Sequence, residues 1–122
     1  MSRMTFAWTE VAKEVLQRDY PEAHIVVASP DEVIAEMGDG EAIVAISTTG
    51  SRRHFHLKTR ETYEVIEGTL AVDVSGRGRV LEKGETFVIN PPDVHKAAGV
   101  GHPATFRVKS EPPWVYADHF EV

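Results

Sequence analysis

The chain has 122 residues, 42% hydrophobic and 26% charged, which suits one soluble domain with a real core and leaves little room for a second. A net charge of −6 argues against nucleic acid or an anionic membrane as the main partner, because both require a basic surface. With no cysteine, disulfides, thiolate nucleophiles and cysteine-based zinc sites are excluded together.

The opening MSRMTFAWTE lacks the apolar stretch of a signal peptide, and no run is long enough to span a membrane, so a cytoplasmic protein is expected. Thr9–Arg18 carries Val11, Val15 and Leu16 at helical spacing, with Thr9 placed to cap it and Pro21 closing the segment. His24–Ser29 is β-branched and reads as a strand. In SPDEVIAEMG, Ser29 is a good N-cap, Pro30 suits the first helical position, Glu32 completes a capping box and Gly38 can end the turn, which predicts a short helix. Asp39-Gly40 is a turn, and from there the pattern changes to short strands: EAIVAISTT, RHFHLK, ETYEVIE and TLAVDV. Ser75–Gly78 is a hairpin turn, followed by RVLEKG, ETFVIN, the Pro91-Pro92-Asp93 turn, VHKAAG and ATFRVKS. The tail WVYADHFEV is a last strand or an arm. Many short strands with regular turn signals predict an all-β sandwich or barrel, with residues 1–38 as a helical and strand extension packed on a barrel of residues 39–122.

Arg53–Gly68 holds the densest chemistry. His54 and His56 are two apart and so share one face of a strand. Glu61 opens the next strand, and His95 lies beyond another strand and a Pro-Pro turn. Two imidazoles and a carboxylate joined by a strand–turn–strand suit Zn, Fe, Mn, Ni or Cu, with His95 able to add a further imidazole. If Glu61 faces inward, so do Tyr63 and Val65, while Phe87 and Ile89 share parity and are expected to wall the pocket. Tyr63 either contacts a substrate or moves a proton, or is a core tyrosine with a satisfied hydroxyl. Phe106 and Val108 read as core. Lys58 and Arg60 read as solvated turn charges, and His24, His102 and His119 stand alone as structural or exposed.

HFHLKTRETYEVIEG resembles the first motif of the cupin superfamily, with His54, His56, Glu61 and Gly68 at its spacing and Gly50 displaced toward His54. GETFVINPPDVH resembles the second through Gly84, Glu85, Ile89, Pro91 and His95. Asn90 replaces its first proline, Pro92 its usual glycine, and Gly99 a later asparagine. The resemblance spans Arg53–Gly99 and implies a small double-stranded β-helix of the jelly-roll type. It implies one divalent metal on His54, His56, Glu61 and His95, and frequent dimerisation. Similar proteins include dioxygenases, sugar isomerases and epimerases, decarboxylases and domains that only bind ligands. A metal-dependent enzyme acting on a small polar molecule is therefore expected, the alternative being a non-catalytic sensor or carrier. The apolar ends (Phe6, Trp8 and Val11; Trp114, Val115, Tyr116 and Phe120) predict packing across a homodimer interface.

Overall fold

The computed structural model describes residues 7–122. One helix, α1 (Trp8–Asp19), precedes eleven strands: β1 (His24–Ser29), β2 (Glu32–Gly38), β3 (Glu41–Ile46), β4 (His54–Phe55), β5 (Arg60–Glu67), β6 (Leu70–Val74), β7 (Arg77–Leu81), β8 (Thr86–Ile89), β9 (His95–Gly99), β10 (Ala104–Glu111) and β11 (Phe120–Glu121). They form two antiparallel sheets, in the order β1-β2-β3-β10-β5-β8 and β11-β4-β9-β6-β7. The expected all-β barrel with a short N-terminal helix is what the chain builds, and β1 and β2 are continuous with the larger sheet.

The two faces of that larger sheet explain its composition. Along β3, AIVAI is apolar throughout because both faces are covered. Val44 and Ile46 point between the sheets, where they join Tyr63, Val65, Leu70, Val72, Ile89 and Phe106. Ile43 and Ala45 point outward, under α1, and pack with Val33, Ala35, Ala12 and Leu16.

Three expectations about the first 38 residues change. Thr9 lies inside α1; Ala7 is its N-cap and supplies no side-chain bond. The buried stripe of α1 is Ala12 and Leu16, while Val11 and Val15 face solvent. The segment read as a second helix is β2, whose Val33 and Ala35 are fully buried at a period of two. Ser29 does accept a backbone hydrogen bond, from Asp31 at 3.0 Å, but this closes the β1–β2 turn. A turn and a helix start use the same side-chain chemistry, and pairing with both β1 and β3 decides for the strand. The β6–β7 turn is Ser75 and Gly76, both at positive φ, with Gly78 already in β7. Trp8 packs against the cluster under α1, and Phe6 lies outside the described residues.

Candidate metal centre

β4, β5 and β9 converge at one end of the space between the sheets. His54 and His95 are paired residues of β4 and β9, and Glu61 sits opposite Ile89 across β5 and β8. Gly50 makes this approach possible. At φ +87 it lets the loop before β4 lie on β9, and a Cβ there would collide with the Ala97 carbonyl. Ser51 then fastens the loop, donating its N–H to the Ala97 carbonyl at 2.8 Å and accepting the Ala97 N–H at 3.0 Å on its hydroxyl.

His54, His56, Glu61 and His95 each offer a ligand atom, and all four atoms lie within 4.8 Å of one another. Each imidazole is held by its Nδ1, which donates to a backbone carbonyl: His54 to Arg52 at 2.8 Å, His56 to Asp118 at 2.7 Å and His95 to Asp93 at 2.9 Å. That fixes each ring's orientation and makes its Nε2 the atom available to a cation. Glu61 Oε1 stands 3.0 Å from His95 Nε2 and 3.4 Å from His56 Nε2. A metal about 2.1 Å from each ligand would set neighbouring ligand atoms roughly 3 Å apart, which these separations match. The decisive atom is His56 Nε2, which is buried and has no hydrogen-bond partner among the described residues. A lone pair facing a carboxylate in a buried site is repelled unless a proton or a cation lies between them.

The electrostatics agree. Burial, and then the neighbouring His95, push His54 down to about 4, so its ring is neutral at neutral pH and able to ligate. Burial resists ionisation of Glu61, but the imidazoles of His56 and His95 facing it outweigh burial and hold the carboxyl at about 2. Burial also opposes protonation of His56, and the facing Glu61 carboxylate overcomes it, raising that imidazole above its usual value. A proton between His56 and Glu61 would occupy part of the space a cation would fill.

Among solved structures, an oxalate oxidase is similar with a TM-score of 0.65 and 24% identity, over 84% of this chain and 61% of that one. A sugar phosphate isomerase of the cupin superfamily from Silicibacter pomeroyi gives 0.61 and 20%, over 74% and 71% of the two chains. The cupin domain of Schizosaccharomyces pombe Cnp3 gives 0.64 and 9%, over 74% and 69%. This chain has the cupin fold. No family model and no curated protein matches the sequence.

Around these four residues the other expected ones fall as follows. Tyr63 is 4% exposed and its hydroxyl donates toward Glu61 Oε1 at 3.5 Å, a long contact. Val65 and Ile89 are buried in the core that contains Tyr63, and Phe87, opposite Tyr63 on β8, packs against it. Phe106 stacks obliquely on Tyr63 with ring centroids 4.7 Å apart. Arg60 pairs with Glu111 at 3.1 Å in solvent, and Lys58 is exposed. His24 and His102 are exposed, but His119 is not alone. Its ring stacks on His54 at 4.8 Å and forms part of the rim of the site.

Asp118 and His119 are the residues that sequence reasoning missed. The buried Asp118 carboxylate accepts the N–H groups of Leu57, Lys58 and Thr59 at 2.8, 3.0 and 3.0 Å, pinning the turn between β4 and β5 while its carbonyl holds His56. The available signal was the tail itself, whose Phe120 stacks on Phe55 at 5.2 Å as β11 pairs with β4.

Proposed function

We propose that this cupin carries one divalent ion on the Nε2 atoms of His54, His56 and His95 and the carboxylate of Glu61, and that it is a metal-dependent enzyme acting on a small polar molecule, of the dioxygenase, isomerase or epimerase, or decarboxylase type. The observation that carries this reading is the orphaned, buried Nε2 of His56 beside a carboxylate held ionised. Three neutral imidazoles and one carboxylate would hold the ion with room left for a ligand, the feature that separates a catalytic metal from a closed structural one. The ion would supply Lewis acidity, or oxygen activation if it is a redox metal.

The chain's own residues supply the rest. The Nδ1 bonds to backbone fix the three rings before any ion arrives, so little reorganisation accompanies binding. Tyr63, in contact with Glu61, is the proton-handling candidate. Burial, and then the charges of Glu61 and Glu32, raise its phenol well above the usual range, so it acts as a donor and stays neutral. Val65, Phe87 and Ile89 form the apolar wall that excludes water from this side. Among the described residues no helix is long and apolar enough to cross a membrane. The exposed Trp114, Val115 and Tyr116 support pairing of two copies through the tail, with sedimentation at micromolar concentration as the check.

Metal content of the purified protein, by mass spectrometry, tests the reading beside His56→Ala and His95→Ala. Near-stoichiometric metal in the parent, lost in both variants, is expected, and its identity (Mn, Fe, Ni, Cu or Zn) selects the assay. A parent that takes up none of these ions when offered them defeats the metalloenzyme and leaves a barrel with a polar lining.

A further inference from the structure

β7 carries two arginines on the face that looks into the barrel. Across β6 and β7, Arg77 lies opposite Val74 and Arg79 opposite Val72, and opposed residues of an antiparallel pair share a face. Val72 is 1% exposed and belongs to the core between the sheets, so both arginines project from the core side of the smaller sheet. The same row continues inward: Val74 is opposite His95, and His95 is opposite His54. Arg77 therefore stands level with two of the four metal-site residues, two strands or about 10 Å of backbone from His95. Arg79 is one pleat further along, and its guanidinium carbon lies 5.2 Å from the centre of the Phe87 ring on β8. β7 and β8 are the edge strands of the two sheets. The two arginines thus line the seam between those edges, beside the wall of Phe87 and Ile89, with solvent on their outer side.

Their charges have no protein partner. Among the described residues Arg18, Arg52, Arg53, Arg60 and Arg107 each pair with a carboxylate, whereas Arg77 and Arg79 do not. Carboxylates are plentiful in a chain with 19 acidic residues against 13 basic ones, so two unpaired guanidiniums side by side mark a place kept for a different anion. A net charge of −6 repels free anions, and a local pair of cations is what can draw one to this seam. Each guanidinium offers a planar fork that fits two oxygens of a carboxylate or phosphate, and the Phe87 ring beneath Arg79 helps hold one fork in place. Resting on the metal reading above, we propose that Arg77 and Arg79 clamp the anionic end, a carboxylate or a phosphate, of a small ligand whose other end reaches the ion.

The test titrates the zinc-loaded full chain with inorganic phosphate and with succinate, followed by nitrogen-15 NMR. Amide signals of Arg77–Leu81 and Phe87 should shift to saturation, and the affinity should fall with added salt. Arg77→Gln and Arg79→Gln should each bind about 10-fold more weakly, as for loss of a charge-assisted hydrogen bond. Arg77→Gln leaves the guanidinium on Phe87 in place, so it reads the anion contact apart from any packing change at Arg79. Lys83→Gln, which removes an ammonium paired with Glu67 in solvent, should bind as the parent does. The tighter-bound probe identifies the clamped group as phosphoryl or carboxylate. Unmoved β7 signals with both probes overturn the proposal. So does anion binding that shifts only β4 and β9 and ignores both arginine substitutions, which would place the anion on the ion alone. Variants that bind anions normally but self-associate in sedimentation overturn it too, and make the pair a guard on the sheet edge. Each of these leaves the metal site standing, whereas a parent that takes up no ion removes the reading beneath it.

Discussion

His95 and His56 do the same work in this barrel but are oriented by different means. The His95 ring is held by the carbonyl of Asp93, two residues earlier in the same turn. The His56 ring is held by the carbonyl of Asp118, 62 residues later, on a segment that the pairing of β11 with β4 anchors beside it. One half of the site is set by local chain geometry. The other half is a tertiary clasp, and its quality depends on how well the last residues of the chain dock.

The sharpest way to break that comparison is Asp118→Ala. It removes the acceptor for three backbone N–H groups and frees the carbonyl that fixes His56. Metal affinity, measured by competition with a chelator, should fall roughly 10- to 100-fold, the usual effect of losing a group that orients a ligand. An affinity equal to the parent's would mean that His56 needs no clasp. Gly50→Ala attacks the local half. Positive φ and the Ala97 carbonyl both oppose a Cβ, so the loop must move off β9 and draw His54 from His95, at roughly 1–3 kcal/mol. Thermal melting of the metal-free protein measures it, and a melting point unchanged from the parent would refute the loop's role in setting His54.

The same contrast says which parts of the molecule were legible in sequence. Parity grouped His54 with His56, just past the end of β4, and Glu61 with Tyr63 on β5, because a strand's alternation is a local property. His95 followed from turn chemistry at Pro91-Pro92-Asp93 and from motif spacing. β2 was misread because Ser29, Pro30 and Glu32 satisfy a helix-start pattern, and only pairing with β1 and β3 overrides it. Asp118 and His119 were out of reach for a different reason: no local signal in WVYADHFEV says that it lies against a turn some sixty residues earlier.

Acidity offers a gentler perturbation that acts on both halves at once. In the metal-free protein Glu61 has a depressed pKa, so its contribution is complete above its usual 4.5 and is lost as pH falls toward about 2. His56 has a raised pKa, so its contribution is complete below its usual 6.5 and is lost as pH rises through the folded value. Between these limits His54, lowered to about 4, makes stability rise with pH, and Glu32, raised to about 7, makes it fall, so the two oppose. Melting temperature of the stripped protein should therefore be highest between about pH 4.5 and 6.5 and decline on both sides. With metal bound, the part of the alkaline decline that comes from His56 should disappear, since the ion replaces the proton between His56 and Glu61, and only the Glu32 contribution up to about pH 7 should remain. A decline well above pH 7 that persists in the fully metallated protein would show that these groups do not share a cation.

The smallest effect should come from Asp93→Ala, and its smallness is the point. Asp93 holds His95 through its backbone carbonyl, which alanine also provides. Among the described residues its carboxylate takes only a long, exposed contact from the Ser75 hydroxyl at 3.4 Å. The β6–β7 turn keeps a backbone bond of 2.8 Å from Ser75 to the Val94 carbonyl, so the register that delivers His95 survives the loss of that side chain. Metal affinity should stay within about twofold, as for other surface substitutions. A tenfold loss would mean that the Asp93 side chain shapes the turn as Asp118 shapes its own. The two histidines would then be held by equivalent clasps, and the division of the site into a local and a long-range half would fail.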